Sequence, residues 1–331
     1  MGKGGAAAPV LRRFRRLAAW VLAASLSLAA AAEGAPAALR PIRVVATIFP
    51  VWDWTREVLG EDSDGVELQL LAADGVDMHS YQPAADDVRK IARCDLFLHV
   101  GGESDAWVAP ALAAAPNPGR RVLGLLAALG DAAKAEELAE GMQPEEDGGE
   151  GAPAPDEHVW LSLRTAQTLV RAIAEALAAL DPARADVWRA NAAAYRARLA
   201  TLDAEYAAAV AAAPRRTLVV ADRFPLRYLV DDYGLRYFAA FPGCSAETEA
   251  SFRTVVFLAG KADEVGARSL LVLEGSDRRL AATVRAATKA RNQSIAVFDS
   301  MQSVTAAQAA AGETYLGEMR RNLASIREAL Q

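Results

Sequence analysis

The chain has 331 residues, 53% of them hydrophobic, with 36 basic and 42 acidic side chains and two cysteines. The acidic balance disfavours nucleic acid and anionic membrane surfaces as partners, because both need a basic face. Two cysteines exclude a disulfide scaffold, and the length suits two domains that each have a core.

Residues 1–32 have the pattern of a secretory signal peptide. Five basic side chains and no acidic ones come first, then an apolar run from Leu17 to about Leu28, then small residues. This order predicts a signal peptide, and the alternative is an uncleaved membrane anchor. Removing the five basic residues leaves 31 against 42, a net charge of −11. We expect a periplasmic or extracellular protein, without a lipid anchor because no cysteine lies near the predicted exit.

The rest of the chain alternates short runs rich in valine and isoleucine with longer helical patterns. The predicted strands are 43–48, 66–71, 96–100, 217–221, 269–273 and 294–298. The predicted helices are 51–59, 84–92, 164–179, 247–265, 279–289 and 312–330. This alternation predicts an α/β fold of mainly parallel sheets flanked by helices. In such sheets ligands bind beyond the carboxyl ends of the strands.

One predicted helix is unusually long. From Pro182 to about residue 212 there is no glycine and no further proline. Its large apolar residues recur at spacings of three and four and form one stripe, which predicts core packing; a solitary coiled coil is the alternative. About 30 residues span ~45 Å, so we expect the helix to join two lobes. The predicted lobes are 33–181 and 214–331, connected by 182–213.

The segment 144–157 is an acidic loop rich in proline and glycine. This composition cannot build a core, so we expect a solvated insertion. The alternative is a loop that gathers cations, because it leads directly into His158.

Two of the three histidines have matching settings. His79 lies in 75–83 and His158 in 156–161; each follows an acidic residue by one or two places and precedes a predicted helix. Neutral imidazole is the commonest transition-metal ligand, and a nearby carboxylate can orient its ring. The third, His99, ends a predicted strand, and we expect it to be half-buried with an ordinary hydrogen bond. The alternative places it at the rim of a cleft.

From about Arg43 to the carboxyl terminus, the chain resembles the zinc and manganese receptors of metal ABC transporters. Those receptors have two lobes and a rigid helix between them. The segments that carry the resemblance are 44–50, 75–83, 95–107, 156–161, 298–300 and 312–315. The resemblance implies a monomeric extracytoplasmic receptor, not an enzyme. It would capture Zn²⁺ or Mn²⁺ between its lobes and deliver the ion to an ABC permease of the inner membrane.

The resemblance also implies which residues hold the ion. His79 and His158 would come from the amino-terminal lobe, and Asp299 would come from the carboxyl-terminal lobe. The alternative for Asp299 is a cap on the segment that follows it.

The fourth ligand position is where the chain departs from the family's pattern. Arg223 stands where the family has a histidine or glutamate, and a guanidinium cannot coordinate a metal. We predict that Asp222 supplies this ligand, because a site lacking one anion would be under-neutralised. Glu274 is the fallback, followed by Glu247 or Glu249.

Two imidazoles with one or two carboxylates suit zinc, which binds them tetrahedrally at ~2.0–2.2 Å. Manganese prefers more oxygen ligands and a higher coordination number. Cys94 and Cys244 fall in different predicted lobes, so we expect both to be free and mostly buried; a disulfide between them is the alternative. We expect no thiolate ligand from Cys94, at the far end of its strand; Cys244, in a Gly-Cys-Ser turn, is left open.

Two other functions remain as alternatives. A metal-dependent hydrolase needs a metal-bound water and a base to activate it, a role that Glu157 or Glu274 would take. The sequence has no H-E-x-x-H helix, no G-x-S-x-G elbow and no phosphate loop, which argues against an enzyme. A surface adhesin of the same fold is the second alternative.

Overall fold

The computed structural model of the chain describes Met1 and residues 40–61, 63–72, 75–142, 154–245 and 249–331. The predicted signal peptide and most of the acidic loop lie outside the described residues. Residues 42–331 form one compact unit. Within the described part, no helix combines the length and apolarity needed to cross a membrane.

The amino-terminal lobe is built on a four-stranded sheet in the order β2-β1-β3-β4, and its strands pair in parallel. Its strands are β1 (Ile42–Ala46), β2 (Val66–Leu70), β3 (Leu96–His99) and β4 (Arg121–Gly124). Its helices are α1 (Phe49–Leu59), α2 (Ala85–Arg93), α3 (Val108–Ala114), α4 (Leu125–Leu129) and α5 (Leu163–Ala178). Single 3₁₀ turns lie at Met78–Ser80, Gly130–Ala132 and Val159–Leu161.

The carboxyl-terminal lobe repeats this plan with the strand order β6-β5-β7-β8, again parallel. After the long helix α6 (Ala185–Ala212), its strands are β5 (Thr217–Phe224), β6 (Arg236–Pro242), β7 (Ser269–Leu273) and β8 (Ser294–Phe298). Its helices are α7 (Arg227–Tyr233), α8 (Phe252–Glu264), α9 (Arg279–Ala287), α10 (Ala306–Ala310) and α11 (Tyr315–Ala329).

Each sheet is buried on both faces. Val44 and Ala46 of β1 face a core that both lobes share, whereas Val45 faces a smaller cluster under α2 and α3. In the other sheet, Leu271 faces the shared core and Val272 the cluster under α8 and α9. Successive side chains of a strand point to opposite faces, so a strand buried on both sides reads as a continuous apolar run. This is the pattern that predicted the strands.

The long helix α6 packs against α1 and α5 of the amino-terminal lobe and against α7 and α11 of the carboxyl-terminal lobe. Its 28 residues span about 42 Å. Trp188, Tyr195 and Tyr206 are each at most 2% exposed, which confirms the prediction that its apolar stripe is core. The boundaries of the lobes at 181 and 214 stay predictions.

The parallel α/β fold is as predicted, and the bounds of β7 and β8 match the prediction. Two strands, β4 and β6, were not predicted, because their short runs lack the valine and isoleucine enrichment of the others. The prediction for β5 ended at residue 221, but the strand continues to Phe224 after a register irregularity. Asp222 and Arg223 therefore lie within the sheet and not in the loop beyond it.

Candidate metal centre

Two imidazoles from distant parts of the chain converge. His79 Nε2 lies 3.2 Å from His158 Nε2, although 79 positions separate them in sequence. Two nitrogen ligands bound tetrahedrally to zinc at 2.0–2.1 Å would be about 3.3 Å apart. The spacing of the two nitrogens therefore already fits a single ion.

The first ring is held by the loop that follows β2. Asp77 precedes the 3₁₀ turn, and its Oδ1 accepts the backbone N–H of His79 at 3.0 Å. Ser104 Oγ lies 2.6 Å from His79 Nδ1, which leaves Nε2 directed at the second ring. Burial, followed by the neighbouring His158, lowers the pKa of His79 to about 3. The ring is therefore neutral at physiological pH, as a metal ligand must be.

The second ring is fully buried. Asp156 Oδ1 accepts the backbone N–H of His158 at 2.9 Å and also lies 3.0 Å from its Nδ1. A carboxylate at Nδ1 places the ring proton there and leaves the Nε2 lone pair for a metal. The Tyr228 hydroxyl, from the other lobe, donates to the carbonyl oxygen of Asp156 at 3.0 Å.

Glu157 links the two histidine segments. Its Oε1 accepts the backbone N–H of Ser104 at 2.9 Å, and the Ser104 hydroxyl also interacts with this carboxyl. A hydroxyl that donates to Glu157 can accept a hydrogen bond from the Nδ1–H group of His79. Burial raises the pKa of Glu157, which these hydrogen bonds partly offset. Gly102 faces this carboxyl at a positive φ of 84°, where a Cβ would lie 2.3 Å from Glu157 Oε1.

A cysteine lies beside the two imidazoles. Among the described residues, His79, His158 and Cys244 form a cluster whose ligand atoms all lie within 4.8 Å of one another. Cys244 follows β6, and its backbone N–H donates to Glu136 Oε1 at 3.0 Å. Burial raises the pKa of the Cys244 thiol, and the carboxylate of Glu136 raises it further. Sequence reasoning left this residue open because the strand that delivers it was not predicted.

Asp222, the predicted fourth ligand, is not a member of this cluster. Its Oδ1 accepts the backbone N–H of Arg223 at 2.8 Å, and its Oδ2 accepts that of Leu273 at 3.2 Å. Both oxygens therefore serve the carboxyl-terminal sheet. The ligand role of Asp222 stays a prediction.

Asp299 and Glu274 directly follow β8 and β7 and form an acidic pair. Neither belongs to the cluster of His79, His158 and Cys244. Asp299 Oδ1 accepts the backbone N–H of Met301 at 2.8 Å, the capping alternative considered for it. Glu274 Oε2 accepts the backbone N–H of Ser300 at 2.7 Å. Burial raises the pKa of Asp299 to about 6, and burial with the adjacent Asp299 raises that of Glu274 to about 7. Their ligand roles also stay predictions.

Arg223 connects the two lobes beside the centre. Its Nη2 donates to Asp77 Oδ2 at 2.8 Å, while the other oxygen of Asp77 holds His79. Arg223, at the position where the chain departs from the family's pattern, thus forms an ion pair with Asp77. Of the fallback ligands, Glu249 is exposed and Glu247 lies outside the described residues.

The remaining histidine and cysteine lie elsewhere. His99 is half-buried, and its Nδ1 lies 3.2 Å from Asp105 Oδ2, as predicted. Its ring also stacks on Phe97. Cys94 is buried on the outer side of the amino-terminal sheet. Both thiols are free, which confirms that prediction.

The sequence profile of the ZnuA family, described as zinc-uptake complex component A, periplasmic, matches residues 44–329. The chain belongs to this family.

Individual ZnuA relatives agree with the match. Zinc-binding protein AdcA of Streptococcus pyogenes is 27% identical over 293 residues, which cover 86% of this chain and 55% of AdcA. The chain thus spans about half the length of the AdcA relatives. The high-affinity zinc uptake system protein ZnuA of Bacillus subtilis is 24% identical and covered over 88% of its length.

A solved structure supports the two-lobed fold. The Zn(II)-bound ZnuA-like domain of Streptococcus pneumoniae AdcA superposes with a TM-score of 0.68 at 28% identity. The match covers 88% of this chain and 99% of that domain. The predicted resemblance and fold class are therefore confirmed.

Proposed function

We propose that this ZnuA-family chain is the extracytoplasmic receptor of a metal ABC transporter, capturing Zn²⁺ or Mn²⁺ and delivering it to a membrane permease. The observation that carries the proposal is the 3.2 Å approach of His79 Nε2 and His158 Nε2. Names of relatives agree with it: AdcA is a zinc-binding protein, and the Bacillus subtilis relative is part of a zinc uptake system.

The donors suit a borderline divalent cation. Asp156 and Ser104 hold the Nδ1 atoms of the two rings, so both Nε2 lone pairs are presented to one point. Two neutral imidazoles leave the charge of a divalent ion uncompensated, and an anionic ligand is needed beside them. Asp299 is proposed for this role, with Asp222 as the predicted fourth ligand and Glu274 as its fallback.

The core that the two lobes share restricts the movements available for capture and release of the ion. Because α6 packs against both lobes, wide hinge bending would disrupt buried contacts. Release at the permease would instead use small lobe rotations and local movements of the ligand loops. The ion stabilises the closed arrangement by mass action, which gives the permease a loaded state to recognise. We propose that the protein acts as a monomer without catalytic turnover.

The first test is a calorimetric titration of chelator-stripped protein with Zn²⁺ and, separately, with Mn²⁺. One tight site per chain is expected for at least one of them, with no turnover in a panel of hydrolase substrates. A protein that binds neither ion would refute the proposal, and metal-dependent turnover would favour the hydrolase.

The second test separates a transporter component from an adhesin. A strain lacking the gene should accumulate less zinc or manganese from metal-limited medium, and the wild-type gene should restore uptake. The His158→Ala gene should not restore it, although its product is exported. Normal uptake in the deletion strain would contradict the transport role.

A further inference from the structure

The carboxyl-terminal lobe presents no donor at the place where the family resemblance expects one. Arg223 is paired with Asp77, and both oxygens of Asp222 accept backbone N–H groups of β5 and β7. The Arg223 guanidinium cannot coordinate a metal. Asp222 would have to give up its hydrogen bonds to face the imidazoles, at a cost of about 1 kcal/mol or more for each bond. A donor from a neighbouring segment would avoid that cost.

The neighbouring strand β6 provides such a segment. It pairs in parallel with β5, and Pro242 lies opposite Phe224 at the end of the ladder. Cys244 therefore leaves the sheet only two residues beyond its edge. A Cβ at Gly243 would lie 2.8 Å from the Phe224 carbonyl oxygen and 3.0 Å from His158 Cε1. The turn is thus pressed directly against the imidazole, and a residue without a side chain permits this approach.

The thiol that this turn carries is in ligand reach of both rings. Cys244 Sγ, one ring nitrogen of His79 and one ring nitrogen of His158 lie within 4.8 Å of one another. Tetrahedral zinc, with bonds of about 2.0–2.1 Å to nitrogen and 2.3 Å to sulfur, sets its nitrogen and sulfur ligands about 3.6 Å apart. A closing movement of about 1 Å is therefore enough to reach that arrangement. The Cys244 backbone is anchored by Glu136, and its thiol forms no disulfide.

We propose that the Cys244 thiolate, in place of Asp222, is the fourth protein ligand of the captured ion beside His79, His158 and Asp299, and that it makes the centre select Zn²⁺ over Mn²⁺. The inference rests on the proposed function. On binding, the S–H bond breaks, a sulfur–zinc bond forms and the proton passes to solvent. A metal-coordinated thiol is deprotonated outright, even where burial favours the neutral thiol in the free protein. Sulfur ligands suit zinc, whereas manganese prefers oxygen.

The direct test is a Co²⁺ titration of chelator-stripped protein followed by absorption spectroscopy. Bound Co²⁺ should show a near-ultraviolet thiolate-to-cobalt charge-transfer band in the wild type. Cys244→Ser should lose the band, whereas Cys94→Ala, which removes the other free thiol, should keep it. Wild-type protein that binds Co²⁺ without the band would overturn the proposal, and this outcome does not depend on any variant folding.

The selectivity is tested by competition titrations with Zn²⁺ and Mn²⁺. Cys244→Ser should weaken zinc binding by at least about tenfold and manganese binding by less, so that the ratio of the two affinities falls. Unchanged zinc affinity in Cys244→Ser, with a loss in Asp222→Asn, would assign the position to Asp222 and refute the thiolate. Wild-type protein that binds no metal would refute the proposed function itself.

Discussion

The two lobes differ in how their possible metal-binding side chains are held at the candidate centre. The imidazoles of the amino-terminal lobe are already oriented, because Asp156 and Ser104 hold their Nδ1 atoms. The acids of the carboxyl-terminal lobe are engaged with their own backbone, as Asp222 and Glu274 show. An oriented donor loses little freedom on binding, whereas an engaged one must first exchange a hydrogen bond. We infer that the first lobe supplies most of the affinity and that the second adjusts selectivity.

The largest expected effect is at the most deeply held ring. His158→Ala should weaken Zn²⁺ binding by roughly 100- to 1000-fold, because it removes a buried imidazole that we propose as a ligand, together with its carboxylate support. Calorimetry on metal-free protein measures the change. The matched control is His99→Ala, which removes a histidine outside the cluster and should leave affinity unchanged. Equal losses in both variants would mean that the effect is structural.

The packing of the β6 turn against His158 predicts the next effect. Gly243→Ala should lower the free energy of unfolding by about 1–3 kcal/mol and weaken zinc binding, because the new Cβ would overlap the Phe224 carbonyl oxygen and the imidazole. Thermal or urea denaturation measures the stability. The control is Gly260→Ala within α8, where a Cβ has open space and helix propensity favours alanine. A harmless Gly243→Ala would show that the two lobes are not in close contact at this point.

The acidic pair predicts a pH effect in metal-free protein. The pKa of Glu274 is about 7 in the folded chain against an ordinary 4.5, so the folded state holds this proton more tightly than the unfolded state. Its stabilising contribution is fully present below about pH 4.5 and is lost as the pH rises through 7.

Comparing wild type with Glu274→Gln isolates this contribution. The wild type should lose about 1–3 kcal/mol more than the variant between pH 4.5 and pH 8, because glutamine cannot ionise. Denaturation at several pH values, in the presence of a chelator, provides the measurement. Parallel pH profiles for the two proteins would contradict the buried, proton-holding state of this carboxyl.

The smallest expected effect concerns the ion pair between the lobes. Arg223→Gln removes a positive charge beside the centre and should tighten Zn²⁺ binding by roughly tenfold at low ionic strength. The gain should shrink as salt is added, because the pair is partly exposed to solvent and is screened. Weaker binding at every salt concentration would instead mean that Arg223 acts mainly by bracing Asp77 and, through it, His79.

The sequence alone was sufficient to predict the parallel α/β fold, the long helix and the histidine pair. Local sequence patterns predict these features. Burial on both faces makes β7 and β8 continuous apolar runs, and the spacing of Trp188, Tyr195 and Tyr206 indicates one face of a helix. His79 and His158 stand beside acidic residues in their own segments, which is where their hydrogen-bond partners are found.

Only the tertiary structure decided which atoms meet. Cys244 Sγ comes within 4.8 Å of a nitrogen of each imidazole because β6 pairs with β5 and because Gly243 lets the turn approach His158. Asp222 is drawn into the sheet because β5 extends to Phe224 and β7 brings the Leu273 N–H beside it. Strand pairing joins residues that are distant in sequence, so no local pattern could reveal these neighbours.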